Sequence, residues 1–366
     1  MKWRRKRVPL GDQTIPRRIG TVVGAFYDVA SWGYLALLAV VSVSRLSDGS
    51  VPVLLQPLQA GFPLLGAPVW LVLVISGVTR RWLQAPLALV LAVTFLAAVA
   101  PARQNVAEPY WVGDSARVRV AAANVFFKNT SPDAAAQAVM ARDADVMVVT
   151  EFTEAFIAAF DRAGARERYP YSTIRARLDR NGVVVFSKIP FVETQVLTDT
   201  KMPVVKLSLP SGEVLWVVAV HPYPPSSESQ AQQWIRSLQD IRRFALSEAG
   251  DDPLALVGDF NGTRWQPTFG KLLAGSMIDA HEALGRGLSR SWPAHRSLPP
   301  LVRLDHALLN ERAFPVAIDD FVIPGSDHLA FEVTIAVKAA LAPGVTPGKD
   351  SIVTTTTGPL KNAKNR

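Results

Sequence analysis

No cysteine occurs among the 366 residues, so the chain offers no thiolate as a metal ligand. The absence leaves the compartment open, because a thiol-free domain is tolerated in either redox environment. Histidine is scarce, at five residues, and no two form an H-x-x-x-H pair; zinc-peptidase chemistry falls away. Neither a Walker-type glycine-rich loop nor a G-x-S-x-G elbow is present, which removes the P-loop and α/β-hydrolase readings. No internal repeat is visible.

What the chain has in quantity is apolar residues, 49% of the total, and they are unevenly spread. Residues 21–100 carry three long apolar stretches, near 21–43, 58–78 and 83–100. Each is close to the roughly 20 residues that cross a bilayer as a helix, so an N-terminal three-helix transmembrane segment is expected. Pro63 and Pro68 interrupt the middle stretch. Asp28 belongs near the headgroups or facing the bundle. The first stretch reads as a retained helix and not a cleaved signal, since its leading region is long and more apolar segments follow.

Residues 1–20 are basic, and Arg80 and Arg81 fill the turn between the second and third stretches. Both places read as cytoplasmic, and three crossings then put everything after Arg103 outside the cytoplasm. Residues 1–103 hold 11 basic and 3 acidic residues, and residues 341–366 hold 4 and 1. The intervening part has 24 basic against 27 acidic residues, close to −3, although the whole chain is +8. The basic balance is therefore a topology signal and not a phosphate-backbone footprint.

Residues 101–116 read as a linker and 339–366 as a disordered tail with little to bury. Between them, at 117–338, short β-rich runs alternate with helical patterns. "GVVVFSK", "VVKLSLP", "EVLWVVAVH", "PLALVGDF" and "RLDHALL" read as strands, and "SSESQAQQWIRSLQDIRRFALSE" as an amphipathic helix with Trp234, Leu238, Ile241 and Phe244 near one face. The mixture predicts a layered α/β domain.

Several polar residues stand where an apolar run stops: Asn124, Glu151, His221, Asp259 with Asn261, Asp305, and Asp327 with His328. If the runs are strands, these side chains converge at one rim of the sheets, where open α/β layers place their ligands. Carboxylates and amides are hard-oxygen donors suited to Mg²⁺, Mn²⁺ or Ca²⁺.

"ANV" (123–125), "VVTE" (148–151), "NGVVVFSK" (181–188), "VVAVH" (217–221), "GDFN" (258–261), "RLDHALL" (303–309) and "GSDHLAF" (325–331) resemble, in their order, the endonuclease/exonuclease/phosphatase (DNase I-like) superfamily. "SRSWPAH" before "RLDHALL" resembles membrane-anchored bacterial members. The resemblance implies a four-layer α/β sandwich, two packed β-sheets flanked by helices, and divalent-metal-dependent phosphoester hydrolysis. It implies Mg²⁺ or Mn²⁺ held by Glu151, with Asn124 beside it and Asp327 assisting. Asp259 would orient or deprotonate the attacking water, and Asn261 would hold the water or a phosphoryl oxygen. His328, oriented by Asp305, and His221 would contact the phosphate. His281, His295 and His306 are expected to be structural, Trp292 to shape the rim, and Ser187, Arg177 and Arg180 to have no special role.

The expected protein is a multi-pass cell-membrane phosphodiesterase, nuclease or phosphatase with its catalytic domain outside the cytoplasm. Its substrate class stays open among nucleic acid, phospholipid, lipid-linked phosphate and phosphomonoester. Besides substrate and the lipid bilayer, no protein partner is implied. The rival reading is a catalytically inactive membrane-tethered scaffold of the same fold.

Overall fold

The computed structural model describes residues 14–47, 51–103, 105–173, 181–197, 201–274, 277–294 and 299–339. The basic run Lys2–Arg7, Arg177, Arg180, His295 and the tail from 340 lie outside them.

Twelve strands among the described residues form two six-stranded sheets. The first contains β1 (Ala116–Asn124), β2 (Val146–Thr150), β3 (Tyr171–Ser172) and β4 (Val183–Ser187). The second contains β5 (Phe191–Leu197), β6 (Met202–Ser208), β7 (Val214–Val220), β8 (Leu254–Asp259), β9 (Ile278–Asp279) and β10 (Asp305–Leu309). The chain then returns to the first sheet with β11 (Ala313–Val322) and β12 (Leu329–Val337). The orders are β11-β12-β1-β2-β4-β3 and β5-β6-β7-β8-β10-β9.

Only β1–β2 and β7–β8 pair in parallel; every other pairing is antiparallel. A parallel pair needs a crossover, and the helices Pro132–Met140 and Glu228–Arg243 lie in these two connections. The carboxyl ends of four central strands therefore emerge at the rims where Asn124, Glu151, His221 and Asp259 stand.

Strand alternation explains the continuous apolar runs. Val118, Val120 and Ala122 face the layer between the sheets, where they meet Val205, Leu207, Val217, Ala219 and Val257. Ala121 and Ala123 face the opposite side, under a helical layer carrying Phe156 and Phe160. On the second sheet the outer layer is the helix Glu228–Arg243, whose Trp234, Leu238 and Ile241 are buried against Val218 and Leu256. Ser227 caps it by accepting from the Gln230 N–H. Each large side chain so buried contributes about 1.5–3 kcal/mol. The result is helix, sheet, sheet, helix: the expected four-layer sandwich.

Ahead of it, the helices Thr14–Ser44 and Gln84–Val99 are joined by a broken segment, with helices at Gln56–Ala60, Phe62–Gly66 and Val69–Val78. Val22–Ser44 and Gln84–Arg103 are long and apolar enough to cross a membrane, and the segment between them bends by 76°. The bend falls at Gly61, where Pro63 has no N–H to donate to the preceding turn. Asp28 faces the bundle: its carboxylate accepts from Arg81 at 2.5 Å and from the Gln84 amide at 3.3 Å.

This bundle and the sandwich share a core. Trp265 is buried in the bundle's apolar cluster with Phe62 and Leu91. Arg45 Nε donates to the Trp265 carbonyl at 3.0 Å, and Gln266 Nε2 to Gln56 Oε1 at 2.8 Å. The linker is also tied down, since Val106 N–H donates to the Ala283 carbonyl at 2.9 Å.

Candidate active site

Two strained turns aim the first carboxylates. Glu151 leaves β2 with φ +57°, a left-handed conformation that costs a branched or long side chain about 1–3 kcal/mol and is commonly retained at functional sites. Its Oε2 accepts the Phe127 N–H at 2.8 Å, and its Oε1 accepts from Asn124 Nδ2 at 3.2 Å. Asn261 has φ +47°, which an asparagine tolerates better than most residues. Before it, Gly258 has φ +140°, and a Cβ there would stand 2.3 Å from the Val220 carbonyl oxygen. Glycine is therefore required for β8 to run beside β7 and end on Asp259.

Asn124 joins the two sheets: the same Nδ2 that reaches Glu151 donates to Asp259 Oδ2 at 2.9 Å. Its Oδ1 accepts the Phe126 N–H at 3.0 Å. Asp259 Oδ1 accepts the Asn261 N–H at 2.7 Å, and Asn261 Nδ2 donates to the Pro222 carbonyl at 3.0 Å. His221 Nε2 lies 4.0 Å from Glu151 Oε1 and 3.9 Å from Asp259 Oδ2.

Asp305 sits opposite Asp259 in the β10–β8 register, and its Oδ2 is 2.8 Å from His328 Nδ1. The other imidazole nitrogen lies 3.8 Å from Asp259 Oδ2. Ser326, which sequence reasoning did not single out, links this loop to β1: its hydroxyl donates to the Asn124 carbonyl at 2.6 Å and accepts the His328 N–H at 3.0 Å. Its place in "GSDH" was the available signal. Asp327 Oδ2 accepts from Trp292 Nε1 at 3.1 Å, so Trp292 sits at the same rim. All eight sequence-selected site residues thus fall in one neighbourhood spanning both sheets.

Burial raises the Glu151 carboxyl, against the Phe127 N–H and the Asn124 amide. It likewise raises Asp259, to about 6, with His328 opposing and Asp305 reinforcing. For His328 burial works against the charge, but Asp305 and Asp259 outweigh it and lift the imidazole to about 10. Ligand atoms of Asp259, Asp305 and His328 lie within 4.8 Å of one another, close enough for a metal. In the same trio the Asp305 and Asp259 carboxylates charge-pair the His328 imidazole.

Behind the site lies a second buried polar group, which sequence reasoning missed. Asp279 accepts from Arg303 Nη2 at 3.0 Å and stands 2.6 Å from His306 Nδ1. His306 Nε2 faces the carbonyls of Gly262 and Arg303, each at 3.1 Å. His281 is 2.9 Å from Asp320. Arg303 thus pairs with Asp279 and leaves Asp305 to His328.

Residues 121–328 match the model of the Endonuclease/Exonuclease/phosphatase family. The match spans more than half of the chain, which belongs to that family of phosphoester hydrolases. Among solved structures, the chain is similar to TDP2 of D. rerio humanized by 14 mutations, at 17% identity, with a TM-score of 0.50, covering 60% of this chain and 99% of that one. It is also similar to an endonuclease/exonuclease/phosphatase from Beutenbergia cavernae, at 18% identity and a TM-score of 0.48, covering 61% and 72%. No curated protein matches it significantly.

Proposed function

We propose that this protein is a membrane-anchored, divalent-metal-dependent phosphoester hydrolase whose catalytic domain faces away from the cytoplasm. The observation that carries the reading is the Asn124 amide, which holds a carboxylate from each sheet, Glu151 and Asp259, beside the His328–Asp305 pair.

The donor set fits Mg²⁺ or Mn²⁺. It is rich in carboxylate oxygen, burial raises the Glu151 carboxyl, and Asp327 Oδ1 is buried with no hydrogen-bond partner among the described residues. Glu151 and Asp327 would hold the ion, and Asn124 stands beside them fixing Glu151. A cation there supplies charge neutralisation to a phosphoryl oxygen.

Asp259 takes a proton from the attacking water. At about 6 its carboxyl is a better base than an ordinary aspartate near neutrality. Asn261, anchored through Pro222, keeps its amide oxygen for that water. His328 and His221 receive the phosphoryl oxygens, with His328 bringing a positive charge. The apolar helices Val22–Ser44 and Gln84–Arg103, with the bent segment between them as a third span, support multi-pass anchoring. The Arg80–Arg81 turn supports the stated orientation.

The test uses the full chain in detergent micelles, stripped with chelator and resupplied with Mg²⁺ or Mn²⁺. DNA, RNA, phospholipid and a phosphodiester chromogen serve as substrates. Metal-stimulated release that disappears in Asp259→Asn is expected. No stimulated release from any of them would sink the hydrolase reading and return the scaffold.

A further inference from the structure

A cleft of about 340 Å³ lies where the apolar bundle meets the sandwich, within the range of ligand-sized sites. Bundle residues Leu64, Trp70, Phe95 and Leu96 form one wall, and Leu288 and Leu301 of the catalytic domain extend it. The catalytic-domain pair is large, apolar and exposed, at 42% and 47%. Four arginines also line the cleft: Arg103, Arg264, Arg290 and Arg303.

Two of these are already neutralised, because Arg264 pairs with Glu282 and Arg303 with Asp279 and Glu282. Arg103 and Arg290 are exposed and have no ion pair among the described residues. Phe95 and Arg103 are eight residues apart on one continuous helical stretch, about 12 Å along its axis. The charge thus sits at the end of an apolar strip that continues the lipid-facing surface of the helices.

We propose that the cleft binds one anionic glycerophospholipid from the surrounding bilayer, its phosphate on Arg103 and Arg290 and an acyl chain along Leu64, Trp70 and Leu96. This rests on the membrane-spanning reading above and is independent of the hydrolytic one. A soluble phosphate has no use for the apolar wall, and a zwitterionic lipid leaves the two arginines half-answered.

The experiment is native mass spectrometry of the full chain in detergent micelles, in an Asp259→Asn background so that turnover does not enter. Phosphatidylglycerol and phosphatidylcholine are titrated separately, with sn-glycerol 3-phosphate as soluble competitor. One phosphatidylglycerol should be retained in preference, with affinity falling about fivefold in each of Arg103→Gln and Arg290→Gln. Leu288→Asp should weaken it as well, and the soluble phosphate should not displace it. Equal retention of the two lipids, unchanged affinity in both arginine variants, or displacement by glycerol phosphate would overturn the proposal. Arg103 and Arg290 are surface groups, so unfolding temperatures matching the parent separate lost binding from lost fold. A full chain that stays soluble and monodisperse without detergent would instead remove the membrane reading beneath it.

Discussion

Replacing Asp279 by alanine strips a buried anion from beneath two cationic or hydrogen-bonding neighbours. Burial alone would raise this carboxyl, but Arg303 and His306 overcome it and hold it well below the usual carboxylate range. The side chain also caps the short helix Ala280–Ala283 by accepting from His281 N–H and Glu282 N–H. Losing the cap costs about 1 kcal/mol. Leaving Arg303 buried without its main partner costs about 3 kcal/mol, the low end of the range, because Glu282 Oε1 stays 3.6 Å away. Together these make about 4 kcal/mol, or a fall of about 8–16 °C in the unfolding temperature of a domain this size. Asp279→Asn keeps an acceptor for the cap and should lose roughly half as much.

The sign with pH follows from the depressed carboxyl. Its stabilisation is complete above the unfolded-state value of about 3.9 and is lost as pH falls below it, at about 1.4 kcal/mol per unit. The gap between wild type and Asp279→Asn should therefore be widest near neutrality and close as the pH is lowered past 4. The assay is tryptophan fluorescence on heating, at one scan rate, for the full chain in micelles. A shift under about 3 °C for Asp279→Ala at pH 7, or a gap to Asp279→Asn that does not narrow in acid, would refute the reasoning.

Asp259→Asn should lower turnover by about 10²–10⁴-fold while Asn261 N–H keeps its acceptor, read by steady-state rates beside an unchanged circular-dichroism spectrum. In wild type, Mn²⁺ should raise the unfolding temperature; Glu151→Gln should abolish most of that rise, and an undiminished rise would move the ion elsewhere. Trp265→Ala should destabilise by about 3–5 kcal/mol, since it removes a buried indole from the bundle's core. It should also slow turnover through the attached catalytic loop, and an unaltered rate would mean the loop is held by the sandwich alone. A reporter active only outside the cytoplasm, fused after residue 340, should be active; activity from a cytoplasmic reporter instead would reverse the topology.

The site was legible because Asn124, Glu151, His221 and Asp259 end or follow strands buried on both faces, and such strands stand out as unbroken apolar runs. Asn124, Glu151, His221 and Asp259 all end the parallel pairs, where the register leaves little choice of neighbour. Edge strands were harder. β5 exposes much of its length and β11 carries Pro315 beside an irregularity in its pairing, so neither shows a clean alternation. The run "FVIPGSDHLAFEVTIAV" divides between β11 and β12, with the site loop at the turn. The Asp279–Arg303–His306 cluster could not be read because its partners are 24 and 27 residues apart and meet only through β9–β10 pairing. At Gly61 the chain bends before the two prolines that marked the interruption, since it is the missing Pro63 N–H that opens the preceding turn.

Trp265 lies four residues beyond Asn261, and the indole is part of the bundle's interior while the asparagine belongs to the catalytic rim. A linker alone would let a tethered enzyme sweep a hemisphere and present its opening in any direction. Here the reacting centre has a set height and a set bearing relative to the helices. If those helices span a bilayer, the site rides at one height above it and keeps one face toward it as the protein diffuses in two dimensions.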